Sequence, residues 1–368
     1  MVGVDPLFTP TFLWNFGDPG SGVDNTSTLR NPTHTYSDGD DHEVTLIVNG
    51  ATDSDTVIAT VSIEPDAPTA DFTPDTGDGN VGLGQTAQSV DFDSSASSGI
   101  IDTYAWVFEN GTPSTSSVPN PTGISFPEGS HDVTLTVTGP GGSSTPEVQQ
   151  IDITRTFEFT PSQDATLHES ATGAINGGAD GRLFVGQTAQ SAGLNERRFL
   201  IQFDLSLLGN SPTVSEATLT LTQNTTSGND TGPLTLARVD NDKPWVEGSK
   251  EGDGAGEASG NGEVTWIHAE KGTLDWDSAG GDFFGTGTAA SVSSGELVFS
   301  SATMRSDVAS WGNPANPNNG WLVRDTTPSG SGGPPGSSNP GTSAVYGFAS
   351  SENLTSADRP TLLVTWLP

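Results

Sequence analysis

Two stretches of this chain align without a gap: "NPTHTYSDGDDHEVTLIV", beginning at Asn31, and "NPTGISFPEGSHDVTLTV", beginning at Asn120. Upstream of each stands a Trp-x-Phe, Trp14 with Phe16 and Trp106 with Phe108. Residues two apart lie on one face of a strand, so each pair puts two aromatics on the same side. In "EVTLIV" and "DVTLTV" the Val and Leu positions point inward and Thr points out, the alternation of a half-buried strand. A period of 89 residues fits one small β-sandwich per copy. The repeat therefore commits this part of the chain to an all-β fold.

The copies are unequal. The second starts near "APTADFTP" at Ala67 and runs through "QSVDFDSSASSG" before it reaches Trp106, whereas thirteen residues precede Trp14. A sandwich lacking its first strands exposes unpaired backbone and an apolar groove. Three arrangements answer this: a longer protein cut upstream, a neighbouring subunit that donates the strand and so builds a homo-oligomer, or "GVDPLFTPTF" folding back as a short edge. His42 and His131 fall at equivalent positions, which favours a structural turn role over catalysis.

These residues resemble the PKD domain, an immunoglobulin-like module with a W-x-F-G-D-G strand and a later N-P-T-H-x-Y…V-x-L-x-V hairpin. The first copy follows that pattern closely at "WNFGDPG" and "NPTHTYSDG"; the second has "WVFENG" in place of the acid-containing turn. The expected boundaries are 1–65, lacking its first strands, and 66–154.

From about Arg155 the pattern changes. Strand-like runs occur at "TFEFTP", "RRFLIQFDLS", "ATLTLTQ", "LTLARV", "ELVFS", "WLVRD", "AVYGFAS" and "TLLVTWLP", separated by Gly/Asn/Ser loops, which suggests a jelly roll over 155–368. A short helix is expected at "SATMRSDVASW", with Met304, Val308 and Trp311 on one face. The stretch "TTPSGSGGPPGSSNPGTSA" is too poor in apolar residues to pack and reads as a long surface loop. The blocks "DATLHES", "GRLFVGQT", "RRFLIQFDLS", "WVEGSKEGDGAGEA", "NGWLVRD" and "FASSEN…RPTLLVTW" resemble the DNRLRE family of secreted β-sandwiches, which includes carbohydrate-binding modules. That resemblance implies sugar binding without catalysis; Gln202 stands where a second basic residue is common in the family. The fold class expected is all-β: tandem immunoglobulin-like β-sandwiches followed by a larger jelly-roll-type β-sandwich.

The net charge is −34, from 46 acidic residues against 12 Lys and Arg. Such a chain is repelled by phosphate backbones and anionic lipid, so nucleic acid is not an expected partner. Self-repulsion of this size predicts dependence on salt or bound cations. No apolar run reaches the length of a membrane span, so membrane insertion is not expected. Cys is absent, and the N-terminus carries neither a basic nor an apolar leader region. A removed leader or release by host lysis would each be compatible with an extracellular place, on a cell surface or a virion surface.

No H-E-x-x-H or G-x-S-x-G occurs and the five His are scattered, so no active site is read. Calcium is the expected cation. Glu247, Glu251, Asp253 and Glu257 crowd one Gly-rich loop and Asp282 adds a further carboxylate; flexible glycine lets carbonyls join carboxylates around a hard ion. Asp38, Asp40 and Asp41 form a second cluster, and the alternative for both is a solvated acidic loop. For sugar, Trp276 between Asp275 and Asp277 is the leading exposed aromatic, with Trp245 behind it; core burial is the alternative for each. Arg197, Arg198 and Arg324 could grip a uronate or sulfate, or neutralise nearby acids.

The expected function is a non-catalytic extracellular adhesive or carbohydrate-binding protein, with PKD spacers and a β-sandwich that binds polysaccharide, acidic polysaccharide included. The alternative is a structural subunit of a surface filament or virion whose incomplete first sandwich is completed by a neighbouring subunit.

Overall fold

The computed structural model describes residues 9–77, 80–81, 87–188, 196–227, 233–252, 255–313, 315–326 and 345–368. Strand accounts for 49% of the chain and helix for 7%, so the fold is all-β. Two compact units are present. One comprises Met1–Gly77, Ser89–Phe126 and His131–Ile151; the other comprises Asp78–Gln88, Pro127–Ser130 and Asp152–Pro368.

In the first unit the second repeat places Trp106 and Phe108 on one strand, as the alternation predicts, whereas in the first repeat Trp14 lies on Thr11–Asn15 and Phe16 just past its end. In the second repeat Thr103–Phe108 pairs with Gly129–Gly139, Trp106 opposite Leu135. A separate three-stranded sheet, Thr73–Asp75, Ala87–Asp93 and Ile124–Pro127, supplies the other layer. Phe72 and Phe92 reach Trp106 at ring-centroid distances of 5.0 and 5.6 Å, and Trp106 is 1% exposed.

The first repeat has one sheet among the described residues: Thr26–Ser27, Thr11–Asn15, Asp41–Asn49 and Ser54–Ser62, in that order. Register puts Trp14 opposite Leu46 and Leu46 opposite Val57, so Phe12, Trp14, Val44, Leu46, Val57 and Ala59 share a face. His34 stacks on Phe16 at 4.3 Å and Tyr36 on His42 at 4.3 Å, covering one end of it. Val57 remains 55% exposed. The two histidines lie in corresponding strands, Asp41–Asn49 and Gly129–Gly139, rather than in the expected turns: His42 Nδ1 is 3.1 Å from the Gly17 carbonyl, and His131 lies beside Asn110.

In the second unit, Thr213–Ser227 spans both layers of a sandwich. Its first part pairs with Glu296–Ser300 and Thr361–Leu367; from Gln223 on, across an irregularity at Gln223/Thr225, it pairs with Val345–Ala349. Arg182–Gln187 follows on Val345–Ala349, and Glu196–Phe203 pairs with both Pro161–His168 and Trp321–Asp325. Between the layers Phe199, Ile201, Leu219, Leu221, Trp321 and Phe348 close a core. The expected helix is present as Ala302–Trp311, capped by the Ser301 hydroxyl accepting from Met304 N at 3.1 Å, with Met304, Val308 and Trp311 buried. The expected surface loop falls at 327–344, outside the described residues.

A second core lies on the outer face. Leu200 and Leu322, pointing opposite to Phe199 and Val323, meet Ala165, Leu167, Trp245, Trp266 and Trp276. The segment that brings these three tryptophans is folded onto the sheet, so the strands beneath it are covered on both sides.

Candidate functional site

The strand Pro161–His168 carries polar residues in positions with no access to water. Ala165 and Leu167 enter the outer core, while Asp164, Thr166 and His168 are each 1% exposed or less. Thr166 is satisfied, its hydroxyl accepting from Phe184 N at 3.1 Å. Asp164 is only half satisfied: Oδ2 accepts from Ser351 N at 2.8 Å, and Oδ1 is buried with no hydrogen-bond partner.

Two further carboxylates converge on it. Glu247 Oε1 accepts from the Asp164 backbone N at 3.0 Å. Glu352 stands in the turn after Val345–Ala349; Ser351 Oγ donates to its Oε1 at 2.6 Å, and its Oε2 is buried without a partner. One oxygen from each of the three residues lies within 4.8 Å of the others. Burial, with the charges of Glu352 and Glu247, holds the Asp164 carboxyl well above the usual carboxylate range. Burial raises Glu247 to about 7, against the Asp164 N–H that favours its charged form, with Glu352 adding to the rise. Two like charges about 4 Å apart repel by about 4 kcal/mol at an effective dielectric near 20, so three ionised groups here demand a cation.

The surrounding loops are fixed by backbone contacts. Asn176, fully buried, donates from Nδ2 to the carbonyls of Glu247 (2.7 Å) and Val264 (2.8 Å) and accepts from Gly178 N at 3.1 Å. Gly178 is required by proximity: a Cβ there would sit 2.2 Å from the Glu247 carbonyl oxygen. Ala179 N donates to Lys250 O at 3.0 Å, and Asn353 Nδ2 to Gly181 O at 3.0 Å. These loops wall an open groove of about 1000 Å³, lined by Asp180, Arg182, Asn224, Glu251, Glu257, Glu352 and Asn353 among others. Glu352 belongs to both groove and carboxylate cluster. Among the described lining residues Arg182 is the one basic side chain, its guanidinium 5.2 Å from the Phe184 ring centre.

The site differs from the sequence expectation in several residues. Trp276, expected exposed, is 5% exposed with Nε1 donating to Thr265 O at 2.9 Å; Trp245 is 4% exposed and bonded to Asn319 O at 2.8 Å. Both rings are spent on the outer core. Arg197 is buried and donates to the Glu196 carbonyl at 2.9 Å, while Arg324 lies 4.1 Å over the Phe283 ring. Arg198 pairs with Glu196 at 2.8 Å. Of the expected metal ligands among the described residues, Glu247 alone joins the cluster. Asp282 accepts from Asp277 N and Ser278 N (2.6 and 2.9 Å) and caps its own loop beside Lys243. Glu257 is exposed in the short strand Glu257–Ala258, and Asp253 lies outside the described residues. In the other acidic cluster, Asp38 bonds Asp40 N and lies 3.0 Å from His42. Asp164 and Glu352 were missed because each stands alone among uncharged neighbours or Ser, far from Glu247 along the chain.

A family model described as "PKD domain" matches residues 78–151, and one described as "Carbohydrate-binding module family 96" matches residues 155–249. A PKD domain and a family 96 carbohydrate-binding module are found in this chain. The module match includes Asp164 and Glu247. Among solved structures, one described as "Structural basis for the promiscuous specificity of the carbohydrate-binding modules from the beta-sandwich super family" is similar at 14% identity and a TM-score of 0.26, covering 82% of this chain and 99% of that one. No curated protein matches. No helix among the described residues is long and apolar enough to cross a membrane.

Proposed function

We propose that this chain is a non-catalytic extracellular carbohydrate-binding protein that holds a polysaccharide in the groove bounded by 179–182 and 352–354. The observation that carries this reading is the groove itself: open, about 1000 Å³, and walled by polar side chains on loops tied to a rigid sandwich. The family 96 match over 155–249 and the DNRLRE-like blocks support it. A groove open to solvent can receive a polymer, and Arg182, Asn224 and Asn353 line it with polar groups of the kind that bind hydroxyls. With Asp180, Glu251, Glu257 and Glu352 around one Arg, neutral glycans are favoured over uronates unless a divalent cation intervenes. The test is binding to neutral and acidic polysaccharides by wild type and Arg182→Ala. A drop of about tenfold or more in the variant is expected; wild type that binds none of the polymers, or a variant that binds equally well, would overturn the reading.

A second reading is a structural subunit of a filament or virion. It is favoured by the half-exposed face of Phe12, Trp14, Leu46 and Val57 in the first repeat, whose counterpart in the second repeat is roofed by Phe72 and Phe92. Strands from a neighbouring subunit would roof it in the same way.

A further inference from the structure

We propose that Asp164, Glu247 and Glu352 bind one calcium ion beside the groove, which Glu352 also lines. This deepens the groove reading by naming what fixes one of its walls, and calcium binding can be tested with no sugar present.

Three observations meet here. Asp164 is 0% exposed, with Oδ1 buried and without a partner, so a carboxyl oxygen has been taken out of water with nothing to replace the solvent. Glu352 Oε2 is orphaned in the same way. The oxygens of all three residues fall within 4.8 Å of one another, and oxygens held about 2.3–2.6 Å from a single ion are at most about 5 Å apart. Among the described residues no Lys, Arg or His forms an ion pair with Asp164, Glu247 or Glu352. The donor set is oxygen only, which suits a hard cation rather than zinc. Three carboxylates in a partly dry cluster suit calcium, since magnesium usually keeps several waters and makes few protein contacts.

The ligands come from three separated parts of the chain: the strand Pro161–His168, the loop following Trp245, and the turn after Val345–Ala349. An ion at their meeting point replaces mutual repulsion with attraction and fixes Glu352 and Asn353 at the groove wall. Sequence proximity hid this, because among the described residues the Gly-rich acidic loop contributes Glu247 alone.

The experiment is calorimetric titration of the chelator-treated full chain with calcium chloride in about 150 mM salt, where exposed acids are screened, followed by thermal melts. Wild type is expected to take up one ion and to melt higher with calcium. Asp164→Asn keeps the size of the carboxyl but can never carry the charge a cation draws on, so without calcium it is expected to melt close to wild type. It should lose the calcium-dependent rise and at least about tenfold in affinity. Glu352→Gln, a less buried position, should lose affinity likewise, and Asp282→Asn should bind as wild type. Wild type that binds no calcium at millimolar concentration, or Asp164→Asn and Glu352→Gln that both bind like wild type, would overturn the site. An equal melting shift with magnesium would overturn its assignment to calcium. If glycan binding still falls in Arg182→Ala while calcium binding fails, the groove reading stands and the metal site does not.

Discussion

His168 is the most isolated titratable group in the second unit. It is 1% exposed, neither ring nitrogen has a hydrogen-bond partner, and a Cβ on Gly177 would come within 2.7 Å of its Nε2. Burial, with the Arg197 charge behind it, pushes its pKa down to about 3, so the ring is folded in as a neutral base. An unfolded His takes its proton near pH 6.5. Between those values the unfolded chain binds the extra proton. Stability from this residue is therefore fully present above about pH 6.5 and is lost as the pH falls toward 3, at about 1.4 kcal/mol per unit. Urea unfolding from pH 7 to pH 4 checks this. His168→Leu should flatten the decline relative to wild type, and parallel profiles would show that the ring is not its source. Asp18 displays the opposite case: also buried, it accepts from Ser37 N (2.9 Å), the Ser37 hydroxyl and His34, and the Ser37 hydroxyl leads in holding it at about 2. A buried carboxylate is stable when its oxygens are occupied, which is the condition Asp164 Oδ1 fails.

At the scale of elements, the segment between Val239 and Phe283 decides what the tryptophans do. Trp245, Trp266 and Trp276 form its underside against Leu167, Leu200 and Leu322. Trp276→Ala should thus cost about 3–5 kcal/mol by opening a cavity. Below its lowered melting temperature the variant should keep glycan affinity; a loss of affinity with unchanged stability would put Trp276 at the ligand instead. The same covering explains what could be read from sequence. Thr361–Leu367 and Glu296–Ser300 alternate between buried and more exposed positions, and their apolar residues announce a strand. Pro161–His168 and Arg182–Gln187 are buried on both faces for most of their length, so no alternation marks them, and the polar Asp164, Thr166 and His168 disguise the first. Glu247 was legible because its loop is rich in Gly and acids. Asp164 and Glu352 were not, since only pairing of distant strands and turns brings them to it.

For the whole molecule, charge and the open face of the first repeat pull in opposite directions. A net charge of −34 keeps copies apart, while the face of Trp14, Leu46 and Val57 favours covering. Screening shortens the reach of the charge to about 10 Å at 0.1 M salt. If neighbouring copies complete that sandwich, light scattering should show a defined oligomer that strengthens with salt and that Val57→Asp dissolves. A wild-type monomer at every ionic strength would eliminate the assembled reading and leave the sugar-binding one untouched.

Glu147–Phe159 and Thr361–Leu367 are hydrogen-bonded neighbours, Arg155 opposite Trp366 and Phe159 opposite Leu362. Thr156 and Thr365, 209 residues apart along the chain, share a hydroxyl hydrogen bond across that seam. So long a loop must be closed before the pairing returns any stability, and the sandwich is expected to fold slowly and late along this seam.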